Sequence, residues 1–192
     1  MTEREKMLAG EPYQSRDPEL LALYHRTKAL LQTFASTAST DTAGKQEILR
    51  SIFGSVGSRV WIESPFACDY GVNIRIGDDC FINYNCVFLD SHQITIGNNV
   101  LIGPAVQLYT AGHPLLADER IIWDEKETER RYVTRALPIS IGDRAWIGGG
   151  AIVMPGVKIG SGTTVGAGSV VTKDIPEGCF AAGNPCRVIR AL

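Results

Sequence analysis

Aliphatic residues recur at every sixth position across the second half of the chain, at Ile141, Ile147, Val153, Ile159, Val165 and Val171. With about a quarter of residues Ile, Leu or Val, six such hits in a row arise by chance a few times in about ten thousand. Four residues after each step stand Ala145, Ala151, Val157, Thr163, Ser169 and Ile175, which are mostly small. Gly142, Gly148, Gly160 and Gly166 directly follow four of the steps. Upstream the pattern reads Ile76, Ile82 and Phe88, with Cys80 and Cys86 in the small position. It resumes as Ile96, Ile102 and Leu108, with Val100 and Val106, after a two-residue slip near Ile94.

Period six matches neither the 3.6 of a helix nor the 2 of an alternating strand. It matches a short strand and a turn, three such units closing one triangular coil of a parallel β-helix, an all-β fold. The aliphatic side chain points into the coil and the small residue fits the crowded corner. Gly77-Asp78-Asp79, Gly97-Asn98-Asn99 and Gly142-Asp143 are expected to supply the positive φ of the turns. Coils then stack at strand spacing, about 4.8 Å, and pair backbone groups with the coils above and below.

The repeat has borders. Asp17-Pro18 reads as an N-cap with proline at the first helical position, opening a helix to about Phe34. Its apolar face is Leu20, Leu23, Leu30, Leu31 and Phe34. After a Ser/Thr-rich loop, Ala43 to Phe53 reads as a second helix burying Ile48, Leu49, Ile52 and Phe53. Between Leu108 and Ile141 the repeat lapses into a long loop carrying Trp123 and a charged stretch from Asp124 to Arg131. Such a loop thrown out of a compact repeat is usually functional or disordered. The expected organisation is a helical segment (1–56), the β-helix (57–182, extruding loop 109–138) and a basic tail (183–192).

A net charge of −2 over 192 residues gives no general attraction to nucleic acid or an anionic membrane. No run approaches the roughly 18 apolar residues of a membrane span, and MTEREKMLAG lacks the apolar core of a signal peptide. Five cysteines without a CxxC pair suit a reduced, cytoplasmic protein. Neither these cysteines nor the three histidines show zinc-ligand spacing, and no GxSxG or GxxxxGK[ST] motif is present. Chemistry here would therefore rest on a general base, with no metal required. His113, in Tyr109-Thr110-Ala111-Gly112-His113-Pro114, stands where the repeat stops; it is either a surface loop histidine or that base. His92, two residues after Asp90, allows a dyad reading, and His25 falls in the first helix. Lys173, Arg187 and Arg190 form a basic group near the end of the chain, either solvated or binding phosphate.

The repeat, the Thr-Ala-Gly-His-Pro loop, Glu5-Lys6-Met7-Leu8-Ala9-Gly10-Glu11-Pro12-Tyr13, Cys68-Asp69-Tyr70-Gly71 and the ending Val-Val-Thr-Lys-Asp-Ile-Pro…Ala-Gly-Asn-Pro-Cys-Arg-Val-Ile-Arg resemble the hexapeptide-repeat sugar O-acetyltransferases. The likeness is to their maltose O-acetyltransferase branch, with galactoside and nodulation acetyltransferases as near relatives. It covers nearly the whole chain and implies a left-handed coil, an exception to the usual right-handed crossover. It also implies a homotrimer with active sites between subunits, and transfer of an acetyl group from the co-substrate acetyl-CoA to a sugar hydroxyl. By the resemblance, His113 is the catalytic base and Asn83 helps hold acceptor and transition state. Asp69 falls where the sugar is contacted, and the Gly149 N–H where the thioester oxygen lies. Ala167, Thr172, Lys173, Arg187 and Arg190 match CoA-contacting positions. Ser91 and Ser15 replace two sugar-binding aspartates of galactoside acetyltransferases, and the loop after His113 is several residues longer than is usual. Two further readings keep the same scaffold: transfer to a non-sugar alcohol such as serine or a xenobiotic, and a non-catalytic β-helix. A metal-dependent hydrase would need three convergent histidines.

Overall fold

The computed structural model describes residues 1–122 and 131–192; Trp123 and the charged residues 124–130 of the extruded loop lie outside them. Its body is a parallel β-helix with three faces. Face one runs Ser55–Val56, Ile74–Ile76, Ile94–Ile96, Ile139–Ile141, Lys158–Ile159. Face two runs Trp61–Ile62, Phe81–Ile82, Leu101–Ile102, Trp146–Ile147, Thr164–Val165, Cys179–Gly183 and finally Cys186–Ala191. Face three runs Phe66–Cys68, Cys86–Leu89, Gln107–Tyr109, Ile152–Val153, Val170–Val171. Every pairing within these faces is parallel except the last of face two.

The six-residue register is the core. Ile76, Ile82 and Phe88 stack under Ile96, Ile102 and Leu108, then Ile141, Ile147 and Val153, then Ile159, Val165 and Val171, and all are buried. Each such side chain contributes about 1.5–3 kcal/mol by leaving water. The two-residue slip has a location. Ile76 pairs with Ile96 twenty residues on, whereas Ile141 pairs with Ile159 only eighteen on. The extra residues, like the long loop, all fall at the corner joining face three to face one. Cys80 and Cys86 are the expected small corner residues, their thiols donating to the Gly97 carbonyl (3.0 Å) and the Gly103 carbonyl (3.3 Å).

The expected turns are found where the motifs end in Asp79 and Asn99, while after Gly142-Asp143 the turning residue is the next one, Arg144. At the corner joining faces one and two, the positive φ falls on Asp79 (+57°), Asn99 (+56°) and Arg144 (+56°), two residues past Gly77, Gly97 and Gly142. Those glycines serve close approach instead. A Cβ on Gly97 would lie 2.7 Å from the Asp143 amide nitrogen, and one on Gly142 2.6 Å from that of Ser161. The middle residues seal the corner, Asp78 accepting from Ser58 N–H, Asn98 from Asp78 N–H and Asp143 from Asn98 N–H at 2.7–2.9 Å.

Helices close one end. Helix α1 (Glu3–Leu8), not foreseen from the hydrophobic pattern, is set by a Thr2/Glu5 capping box. Helix α2 (Pro18–Ser36) is capped by Asp17 and α3 (Thr42–Ile52) by Asp41, within two residues of the expected bounds. Phe34, Leu49, Ile52 and Phe53 join the β-helix core, with Leu30, Leu31 and Ile48 packed against it. Met7, Tyr13, Leu20, Tyr70 and Ala136 form a second small core, against which Leu23 packs. The segment read as a basic tail runs back as a strand along face two.

Gly97→Ala should therefore cost about 3 kcal/mol, as overpacking against backbone does. Gly162→Ala, at φ +65° with open space around it, should cost about 1–2 kcal/mol. Urea denaturation of the two variants measures the difference, and equal losses would contradict the close-approach role.

Candidate active site

Two corner columns carry the residues of interest. The corner joining faces two and three holds Asn83, then Gly103 and Pro104 one rung on, then Gly149 and Ala167 on the next two rungs, with Gly148, Gly150, Gly166 and Gly168 around them. Unlike the corner between faces one and two, among the described residues it has no Asp or Asn side chain accepting the N–H of a neighbouring rung. Among the described residues, no hydrogen bond uses the amide N–H of Gly149 or Ala167. Packing leaves no room for larger residues there: a Cβ on Gly103 would lie 2.5 Å from the Gly149 nitrogen, and one on Gly148 2.5 Å from that of Ala167. The Asn83 side chain turns back to accept from the Tyr84 N–H at 2.8 Å.

The corner joining faces three and one holds Asp69, Asp90, Ser91, His92, His113, Thr172 and Lys173. His113 follows the short strand Ala111–Gly112, which pairs antiparallel with Arg135–Ala136. The extruded loop thus returns beside its own start, and His113 Nδ1 lies 2.8 Å from the Val133 carbonyl oxygen. A carbonyl only accepts, so Nδ1 carries a proton, and in the neutral ring Nε2 keeps its lone pair. The ring is exposed.

Asp90, fully buried, was not foreseen except as a partner for His92. Its carboxylate accepts the N–H groups of Asp69 (3.0 Å), Tyr70 (2.8 Å) and Asn73 (3.4 Å). His92 Nδ1 instead accepts the Gln93 N–H at 2.7 Å, so the two form no dyad. Burial pushes the Asp90 carboxyl up to about 7, with backbone donors pulling it down. Burial also raises Asp69, opposed by Lys28, whose ammonium stands 3.9 Å away and donates to the Cys68 carbonyl at 2.7 Å. Ser91 is buried beside the buried phenol of Tyr13.

Arg187 and Arg190 lie on the strand Cys186–Ala191, opposite Ala182 and Phe180. Residues three apart on a regular strand face opposite ways. The irregularity between Phe180 and Ala181 absorbs one residue and puts both guanidinium groups on the outer side of face two. Lys173 sits at the corner between faces three and one, so the three cations do not form the single group expected from the sequence. Nor does one chain bring Asn83 and Gly149 to His113, since they occupy different corners. An open groove of about 550 Å³ on face one, lined by Lys158, Ser161, Asp174 and Glu177 among others, holds none of these residues except through the neighbouring Lys173 turn. Among the described residues no group of three His, Cys, Asp or Glu is placed to hold a metal, and no helix is long and apolar enough to cross a membrane.

A β-helix with a helical cap, a histidine loop at one corner and a glycine column at another defines a class of β-helical transferases. The chain belongs within it to the hexapeptide-repeat acetyltransferase family. Residues 6–57 match the maltose acetyltransferase hexapeptide capping motif and residues 138–173 the bacterial transferase hexapeptide (six repeats). The chain is similar to nodulation protein L of Rhizobium meliloti, 46% identical over 97% of each chain. It is similar to the crystal structure of a maltose O-acetyltransferase from Clostridium difficile, 45% identical, covering 100% of this chain and 98% of that one at a TM-score of 0.92. It is also similar to a hexapeptide-repeat acetyltransferase of Vibrio cholerae solved with acetyl coenzyme A, 40% identical, covering 100% and 99% at 0.89.

Asp90 generates a pH dependence. Its carboxyl takes a proton near 7 when folded, against a reference value of 3.8, so the folded state binds the extra proton between those values. Its contribution to stability accordingly falls as pH rises from about 4 to about 7. Asp90→Asn should flatten that slope, whereas Asp90→Ala should cost about 3 kcal/mol or more by stranding buried N–H donors. Urea midpoints at acid and neutral pH check both; an identical slope in wild type and Asp90→Asn would contradict the assignment.

Proposed function

We propose that the protein transfers an acetyl group from acetyl-CoA to a hydroxyl of a maltose- or glucose-like sugar, in the cytoplasm, with His113 as general base. The observation that carries this reading is the His113 imidazole, fixed by the Val133 carbonyl with a free Nε2 on the scaffold of an acetyltransferase family. Nε2 takes the proton of the acceptor hydroxyl as its oxygen attacks the thioester carbonyl. The free Gly149 N–H meets the oxyanion that develops, and the C–S bond breaks to release the thiol of CoA once protonated. No covalent enzyme intermediate is required. Ala167 offers a second N–H, Thr172 and Lys173 line the opposite corner, and the paired Arg187 and Arg190 suit the phosphates of CoA.

The site is complete only between subunits of a homotrimer, where one chain supplies His113 and Asp69 and its neighbour Asn83 and Gly149. Surface character supports this. The outer side of face two presents Trp61, Phe81, Leu101, Trp146, Thr164 and Phe180 in register, and that of face three Val87, Gln107, Ile152 and Val170, with Leu89 beside Tyr109. Face one shows Arg75, Thr95, Ser140 and Lys158. The two apolar faces flank the Asn83–Gly149 corner, a surface that calls for cover. Ser91, itself buried, replaces a carboxylate with a hydroxyl that has little access to a galactoside. For the same reason a non-sugar alcohol is the second reading, and thiol release across a panel of sugars, serine and small alcohols separates the two.

His113→Ala should lower kcat by about 10²- to 10⁴-fold while acetyl-CoA still binds; near-wild-type turnover would contradict the assignment. Replacing Arg187 and Arg190 together with alanine should chiefly raise the KM for acetyl-CoA, and an unchanged KM would leave the arginines without that role.

A further inference from the structure

The N-terminal segment does more than cover the end of the β-helix: we propose that Met7 and Tyr13 are positioning residues for His113, acting through the returning arm of the extruded loop. The inference rests on the role of His113 given above. His113 is held by one atom, the Val133 carbonyl oxygen, and Val133 belongs to a segment carried on a long excursion from the β-helix. Something must fix that carbonyl. Within the loop Val133 gives its own N–H to the Arg120 carbonyl at 2.9 Å, and on one side the arm pairs with Ala111–Gly112, the two residues preceding His113. On its other side the contact is the N-terminal segment. The Tyr13 N–H donates to the Thr134 carbonyl at 3.3 Å in an isolated antiparallel bridge, one residue from Val133. Ala136, two residues further along, is buried against Met7, Tyr13, Leu20 and Tyr70 in the second core. Gly10, at φ +75°, passes so close that a Cβ there would lie 3.3 Å from the Ala136 carbonyl oxygen.

The arm carrying the histidine's anchor is therefore clamped between the start of its own loop and the N-terminal segment. Val133 stays tied to Arg120 within the loop, so removing the clamp lets the loop's two arms shift together against the β-helix, carrying the Val133 carbonyl with them, while leaving the glycine column and Arg187 and Arg190, carried by other parts of the fold, untouched. Catalytic geometry is sensitive to displacements of about 1 Å. The cost falls on turnover, with CoA binding retained.

Met7→Ala, made in the full chain, tests this with Met7→Leu as the conservative variant. Leu49→Ala, in the main core beneath α3, is a control for lost stability alone. Two quantities are read: steady-state kinetics, and the ¹⁵N shifts of the His113 ring, which report whether the proton stays on Nδ1. Met7→Ala is expected to lower kcat about 10- to 100-fold with the KM for acetyl-CoA within about twofold of wild type. It should also move the ring shifts toward an averaged tautomer. Met7→Leu should restore both, and Leu49→Ala should change neither at a temperature where all variants are folded. Unchanged His113 shifts in Met7→Ala, or the same shift change in Leu49→Ala, overturn the proposal. Altered shifts with undiminished turnover support the positioning and instead sink the general-base role of His113.

Discussion

Each rung of this β-helix gives its backbone N–H groups to carbonyls of adjacent rungs, as when Gly77 bonds Ile96, Gly97 bonds Ile141 and Gly142 bonds Ile159 at 2.8–2.9 Å. Rungs can pair in this way only if their corners lie one over another, so each corner becomes a column running along the axis. The aliphatic stack inside enforces the same alignment, because a rung out of phase would turn its Ile or Val toward solvent. Three columns result, and they differ in chemistry. One is sealed by Asp78, Asn98 and Asp143, each accepting from the next corner's backbone. A second has been stripped to glycine and alanine around Gly149 and Ala167, leaving two amide N–H groups free. The third absorbs every departure from the six-residue period and holds the buried Asp90 and the His113 loop.

This division explains why function gathers where the repeat breaks. A regular rung has no spare residues, so the two-residue slips at 69–73 and 90–93 and the long excursion after Thr110 are the places where polar side chains can be brought together. The extra residues bring buried backbone donors with them, and Asp90 satisfies three. The excursion brings a different demand, a returning arm whose carbonyl must stay on His113, and the N-terminal helix and Tyr13 pack against that arm.

The period and its phase were legible because aliphatic spacing is a direct image of coil geometry, and α2 and α3 were legible because Asp17-Pro18 and an apolar stripe mark helices unambiguously. His113 was visible as the histidine at the point of departure from the repeat. Other features were not. The role of Gly77 and Gly97 depends on the distance to the rung above, which no single rung encodes. Asp90 looks like any turn aspartate until the 69–73 loop is folded over it. Helix α1 is too short for a periodic signal, and the strand 186–191 reads as charged tail because only its pairing with 179–183 turns Arg187 and Arg190 to one side. Val133 contributes a carbonyl, which has no sequence signature at all.

The central claim is that a working site needs His113 from one subunit and Asn83 from its neighbour, since the fold puts them on separate corners. Subunit complementation measures this directly. His113→Ala and Asn83→Ala chains, each nearly inactive alone, are unfolded, mixed in equal amounts and refolded together, and thiol release from acetyl-CoA is followed. In a trimer with shared sites, random mixing restores one intact site in each mixed trimer, giving about a quarter of wild-type activity. Activity no higher than the average of the two separate variants would contradict it.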